Sequence, residues 1–244
     1  MTFSYAISAF AVLLAYTVKG ITGFANTLVF STVMSFFANN LSITPIEIIL
    51  GTGPNIFIAL RERKGFKWRV VVPLSVLMML GCVPGALFLK SGDPALIKTF
   101  FGIGITLVAV QTLVMERLRL KPSKPLLVFI GLVSGVMCGM YGIGALLVAY
   151  VSRTTDTPAE FRANVCFVFI LVDVFRAALY FATEIFTTDV LQSVLKLAPF
   201  MLLGLLIGTK LAGVLPAPFV RKVIMGLLAL SGILLVATSA MGLI

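Results

Sequence analysis

The sequence predicts an all-α, polytopic integral membrane protein built from two inverted helical repeats, the first helix pair of each repeat being broken at glycines. Three observations predict it. The composition is too apolar for a water-facing surface, long apolar runs follow one another along the whole chain, and a series of short motifs recurs about half a chain later.

Of the 244 residues, 60% are hydrophobic and 11% charged, where a soluble domain carries about 25% charged residues. Charge this scarce cannot clothe a surface in water. In lipid the backbone must satisfy its own hydrogen bonds, which leaves helices or a closed barrel. Barrel strands alternate apolar and polar residues in short segments; the uninterrupted runs here read as helices.

The runs fall in order at 3–18, 24–38, 45–60, 70–89, 96–115, 125–138, 143–152, 162–183, 194–214 and 219–243. A helix needs about 20 residues to cross about 30 Å of hydrocarbon, so 3–18, 24–38, 125–138 and 143–152 are marginal spans. Lys19, Gly20 and Gly23 divide the first pair, and Gly139, Gly142 and Gly144 divide the second. Each pair reads as two tilted helices, one bent helix or a re-entrant hairpin.

Net charge is +10, and the basic residues gather in short loops, as the positive-inside bias requires. Arg61, Arg63, Lys64, Lys67 and Arg69 occupy one loop, and Arg117, Arg119, Lys121 and Lys124 another, so 61–69 and 116–124 are expected on the cytoplasmic side of a bacterial inner membrane. The loop 184–193 carries Glu184 and Asp189 without a basic residue and is expected outside. That holds if 125–152 returns to the side it left, which also places both termini outside. No Lys or Arg precedes the first run, so a cleavable signal peptide is not expected.

The repeat divides the chain at 1–120 and 121–244. Thr44-Pro45-Ile46-Glu47 matches Thr157-Pro158-Ala159-Glu160, each read as an N-cap, a proline at the first helical position and a capping-box glutamate. Gly20 and Gly23 match Gly139 and Gly142; Gly81 and Gly85 match Gly204 and Gly208; Pro94, Lys98 and Gly102 match Pro218, Lys222 and Gly226. The offsets run from 113 to 124. Five segments per half, an odd number, invert the second half. Inverted repeats are a recurrent transporter design, with the substrate near the midplane at glycine-broken segments.

These residues resemble the TauE/SafE family of sulfite and organosulfonate exporters. The resemblance spans nearly the whole chain and is carried by Lys19-Gly20-Ile21-Thr22-Gly23-Phe24 and Gly139-Met140-Tyr141-Gly142-Ile143-Gly144. The family shows a richer glycine run after the aromatic; Ala25-Asn26 and Ala145-Leu146 stand there in this chain. It also shows Arg-x-Ala followed by Gly-Thr-Ser, where this chain has Arg162-Ala163-Asn164-Val165-Cys166. The resemblance implies export of sulfite or an organosulfonate.

Several residues are candidates for binding a small anion. A helix restarting inside the membrane presents unpaired N–H groups and the positive end of its dipole, which Phe24 to Thr27 and Ile143 to Ala145 would supply. Close packing through small residues is the competing reading of Gly20, Gly23, Gly139, Gly142 and Gly144. Lys19 either holds an anion as a point charge or snorkels to an interface; its counterpart Cys138 makes any charge there one-sided. Thr22, Asn26, Thr27 and Asn55 bind substrate or glue helices together, Asn26 being favoured because it follows the break. Tyr141 donates to an anion or sits at an interface. Asp173 and Arg176 share a helix face, as a structural pair or as a coupling site in which Asp173 takes a proton and Arg176 binds the anion. Arg162 and Asn164 line a cytoplasmic entrance, Arg162 reading equally as a topological anchor.

Cys82, Cys138 and Cys166 read as small buried hydrophobes, and there is no histidine. No metal, cofactor, catalytic constellation or nucleic-acid motif is expected. The partners expected are a small-molecule anion and membrane lipid, with a carboxylate or amino acid as the alternative solute; exposed small-residue faces would allow a homodimer. A channel or a membrane-embedded enzyme are the remaining alternatives.

Overall fold

The computed structural model describes residues 2–38, 40–114, 124–212 and 214–240; most of the basic loop 116–124 therefore lies outside the described residues. Ten α-helices follow in chain order among them: α1 Thr2–Thr22, α2 Asn26–Ser35, α3 Asn40–Arg61, α4 Trp68–Ser91, α5 Pro94–Val114, α6 Lys124–Tyr141, α7 Ala145–Thr154, α8 Pro158–Ala182, α9 Thr188–Leu211 and α10 Ala217–Ala240. Six of these, α1, α3, α4, α8, α9 and α10, are long and apolar enough to cross a membrane. The protein is an all-helical, multi-pass membrane protein.

Two expectations need correction. The break in the first pair falls at Gly23–Ala25 rather than at Lys19 and Gly20, which lie inside α1. Consequently α1 is a full-length helix of 21 residues and α2 a half-helix of 10, about 15 Å long at 1.5 Å per residue. The second pair is divided in the same way, into α6 with 18 residues and α7 with 10. The capping box at Thr44-Pro45-Ile46-Glu47 does not form either. α3 already begins at Asn40, so Thr44 and Pro45 are internal, and the Glu47 side chain turns to α2. The second copy behaves as its sequence predicts: Thr157 is the N-cap of α8 and its Oγ1 accepts from Glu160 N at 3.2 Å. Glu160 reaches back one residue further than expected, accepting from Asp156 N at 3.0 Å.

The chain folds as two compact units that interleave the sequence halves. The first contains residues 1–47, 92–118 and 187–244; the second contains 48–91 and 119–186. In the first, α1 lies along α9, and a Cβ on Gly204 would stand 2.5 Å from Leu13 O, one on Gly20 2.7 Å from Gly208 Cα. In the second, α4 lies along α6 through Gly81, Gly85, Gly135 and Gly139, and a Cβ on Gly81 would stand 2.9 Å from Gly135 Cα. These contacts correspond residue by residue. Gly208 meets Thr17 O and Gly20 as Gly85 meets Val136 O and Gly139, and Gly204 meets Leu13 O as Gly81 meets Leu132 O. The backbones approach this closely because lipid gives helices no hydrophobic reason to associate, so close van der Waals packing must hold them.

The same contacts give direction. From Leu77–Gly131 to Gly85–Val136, positions on α4 and α6 advance together, so these two helices are parallel. After the break, Thr154 O at the end of α7 accepts from Lys67 Nζ at 3.2 Å, beside the start of α4. The α6–α7 segment therefore returns to the end from which it set out, as a hairpin. In the first unit α5 and α10 are antiparallel: Gly102 meets Gly232 and Val236, while Thr99 bonds Ser239 at 3.0 Å. These are the last helices of the two sequence halves. The Gly102–Gly226 match does not extend to packing, since a Cβ on Gly226 would meet nothing within 4 Å.

Candidate functional site: the two helix breaks

Both breaks are built alike. α1 ends where Gly23 takes φ 85° and its N–H bonds Lys19 O at 2.7 Å; α6 ends where Gly142 takes φ 76° and its N–H bonds Cys138 O at 2.8 Å. A left-handed residue after the last turn is the usual helix stop, and glycine adopts it without steric cost. Two residues later the chain becomes helical again, Val29 N bonding Ala25 O at 3.1 Å and Val148 N bonding Gly144 O at 3.0 Å. Ala25 and Gly144 hold the N-cap positions of α2 and α7, and neither has a side chain that could cap them. Thr22 braces the first break, its Oγ1 lying 2.9 Å from Val18 O and 2.8 Å from Phe24 O.

At the first break, polar side chains meet in the interior of their unit. Lys19 is 2% exposed, Asn26 6% and Glu47 5%. Lys19 Nζ donates to Asn26 Oδ1 at 3.1 Å, and Asn26 Nδ2 donates to Glu47 Oε1 at 2.8 Å. Thr27 Oγ1 donates to the same carboxylate oxygen. Lys19 is thus held inside the protein, which excludes the snorkelling reading. Asn26 and Thr27, the first two residues of α2, donate to one carboxyl oxygen in this structure, and that oxygen belongs to the protein's own Glu47.

Glu47 is the residue that sequence reasoning missed. It was absorbed into a capping box, although a carboxylate within an apolar run is a functional candidate by default. That signal was present and outranked by the Thr-Pro pattern beside it.

The second break has a different set of side chains and a similar charge. Arg176 Nη1 donates to Asp173 Oδ1 at 3.1 Å and to Cys138 Sγ at 3.4 Å, with Arg176 fully buried and Asp173 nearly so. Its guanidinium carbon lies 5.5 Å from the Tyr180 ring centroid, and Tyr180 donates to Gly139 O at 2.6 Å. The expected one-sidedness is therefore corrected. Cys138 replaces Lys19 in sequence, but α8 delivers Arg176 to that thiol, so each unit sets one buried cation and one buried carboxylate beside its break. Cys138 is also more than a small hydrophobe, since it accepts from this cation.

The remaining candidates separate by environment. Gly20 and Gly139 belong to the helix contacts, Gly23 and Gly142 to the breaks. Gly144 admits the Phe169 ring, which would stand 2.7 Å from a Cβ there. Tyr141 is buried as the last residue of α6, and Asn55 is buried farther along α3. Asn164 is engaged by backbone: it accepts from Lys67 N at 2.8 Å and donates to Gly65 O at 2.8 Å and Glu160 O at 2.6 Å.

Asn164 belongs to a clamp that ties the basic loop to the start of α8. Arg162 Nε and Nη2 both reach Glu62 Oε1, at 2.9 and 2.7 Å, and Lys67 Nζ pairs with Glu160 at 2.9 Å and Asp156 at 3.1 Å. The hydrogen bond that Lys67 donates to Glu160, seconded by the one it donates to Asp156, holds it above the usual lysine range. Loop 61–69 and the start of α8 thus occupy one end of the second unit.

Neither a curated protein nor a solved structure matches this chain. A family model described as "Sulfite exporter TauE/SafE" matches residues 8–235. With that match covering nearly all of the chain, from α1 into α10, the protein belongs to the TauE/SafE family of sulfite exporters.

Proposed function

We propose that the protein carries a small sulfur oxyanion or organosulfonate across a bacterial inner membrane by alternating access, the anion being held at the helix breaks. The observation that carries this reading is the buried cluster at the first break. Asn26 and Thr27 donate there to one carboxyl oxygen of Glu47 at the start of a half-helix, and Lys19 donates to Asn26 Oδ1 beside it, where the helix dipole also favours negative charge. Sulfite and sulfonates present such oxygens. In this reading residues 1–120 and 121–244 act as inverted repeats, loops 61–69 and 116–124 face the cytoplasm, and loop 184–193 faces outward. Arg176 is the corresponding cation of the second break, and Asp173 the coupling residue. Asp173→Asn should then weaken the dependence of transport on a pH gradient, and full dependence in that variant overturns the assignment.

A carboxylate substrate is the second reading, because the oxygen now bound by Asn26 and Thr27 is itself a carboxylate oxygen. The test is thermal stability of the purified protein in detergent with sulfite, thiosulfate, sulfoacetate, taurine, acetate, sulfate or lysine added. A ligand that binds the native state raises apparent stability by mass action, about 2.7 kcal/mol at a hundred times its Kd. Stabilisation by sulfur anions alone, lost in Lys19→Ala and Asn26→Ala, supports the first reading. Stabilisation by acetate and not by sulfur anions moves the protein to the second.

A further inference from the structure

We propose that Glu47 is the resident anion of the first break, and that it yields its place to the substrate by taking up a proton. The inference rests on the anion-binding reading above and adds a proton-coupled step to it.

The argument begins with charge. At this break Lys19 contributes one positive charge and Glu47 one negative, joined through Asn26, and all three are buried. α1 carries no other charged side chain, only Tyr5 and Tyr16 as further titratable groups, and α2 carries none. On α3 the next ionisable residue after Glu47 is Arg61, at the far end of the helix. Lys98, Arg221 and Lys222, on the α5 and α10 helices that pack on α2, lie near the starts of those helices, and α9, which packs on α1, carries Asp189 and Lys196 in its first half and Lys210 near its end, all three exposed. The cluster is therefore near neutral as it stands.

A monoanion entering beside an ionised Glu47 would set two negative charges against one cation in a buried site, which desolvation makes costly. It would also find the Asn26 amide and Thr27 hydroxyl already donating to Glu47 Oε1. Protonating Glu47 resolves both conflicts. The neutral carboxylic acid no longer commands those donors, the anion takes them, and the charge returns to zero. The proton comes from water at the side open to the site and remains on the Glu47 carboxyl while the anion is bound. One proton then accompanies each monoanion.

The probe is methanesulfonate, which keeps a single negative charge from about pH 5.5 to about pH 8, whereas sulfite itself titrates in that interval. Its apparent Kd for the full chain in detergent is read from thermal stabilisation. The wild type should bind more tightly in acid, by about tenfold per pH unit above the Glu47 pKa. Glu47→Gln should bind at about pH 8 as tightly as the wild type does in acid, with a flat profile. Thr27→Val removes one donor to the ionised carboxylate and should move the midpoint to higher pH, a readout that remains if Glu47→Gln does not fold. Asp189→Asn, at an exposed carboxylate in the first turn of α9 and outside both breaks, should keep the wild-type slope.

A flat wild-type profile, a wild-type slope in Glu47→Gln, an unmoved midpoint in Thr27→Val, or a slope lost in Asp189→Asn overturns the proposal. Asn26→Ala separates the two levels of inference. If it binds methanesulfonate as the wild type does, the anion-binding reading has failed. If it loses binding while Glu47→Gln keeps the wild-type slope, only the role of Glu47 has failed.

Discussion

At the residue scale, the two breaks depend on backbone conformations that most side chains resist. Gly23 and Gly142 sit at φ 85° and 76°, and Ala25 adopts φ 72° without being glycine. An L-residue in the left-handed region costs roughly 1–2 kcal/mol, so the first break holds strain at Ala25 where Gly144 holds none. Such strain persists where the surroundings over-determine it, and the neighbouring cluster of Lys19, Asn26, Thr27 and Glu47 is suited to that role. We expect Gly23→Ala and Gly142→Ala each to destabilise the protein by about 1–2 kcal/mol, measured as the midpoint of unfolding in detergent. Gly23→Ala, which adds a second strained residue two positions from Ala25, should also weaken anion binding. Unchanged stability in both variants would mean that the breaks relax freely, and the cluster would lose its fixed geometry.

At the element scale, the same residue type does two jobs that the sequence does not separate. Gly20 and Gly23 look alike in a motif, yet Gly20 lies against Gly208 in a helix contact and Gly23 stops the helix. The Gly81/Gly85 and Gly204/Gly208 pairs lie at helix contacts, where close approach requires small residues one turn apart. The helix starts were not legible, because Thr-Pro-x-Glu has the same local chemistry at both sites. At Glu160 the local partner prevails, whereas at Glu47 the Asn26 and Thr27 side chains of another helix prevail. The placement of Arg176 beside the second break was not legible for a similar reason, although the residue itself was a candidate: only the fold brings α8 to Cys138. The packing role is testable by a single methyl group. Gly81→Ala would press Cβ into Leu132 O and Gly208→Ala into Thr17 O, both backbone atoms that cannot give way cheaply. Each should cost about 1–3 kcal/mol, the usual range for overpacking. Gly226→Ala, with open space at its Cβ, should be neutral or stabilising by up to about 1 kcal/mol through helix propensity. Equal effects at all three positions would contradict the tight backbone contacts of α1 with α9 and α4 with α6.

At the scale of the whole molecule, the repeat is legible in sequence but its assembly is not. The motif series divides the chain near residue 120, yet each compact unit takes helices from both halves. α1 of the first half has its close partner α9 in the second, and α4 of the first half has its partner α6 in the second. Neither half contains the surface that its glycine faces require, and a helix with such a face uncovered gains nothing from lipid that replaces backbone contact. The cation of the second break comes from α8, whereas α4, on which Cys138's helix packs, comes from the first half. This interleaving makes a definite prediction for a chain cut between α5 and α6. Residues 1–120 or 121–244 produced alone should fail to accumulate as folded protein, while the two produced together should associate and recover the thermal stabilisation by anions expected of the intact chain. The glycine faces supply a control. Gly208→Ala in the second fragment should weaken recovery more than Gly226→Ala, because Gly208 meets α1 of the other fragment and Gly226 meets nothing within 4 Å. Fragments that fold separately, or that reassociate equally well with either substitution, would show that the halves are autonomous and that the exchange of helices between them does not hold the molecule together.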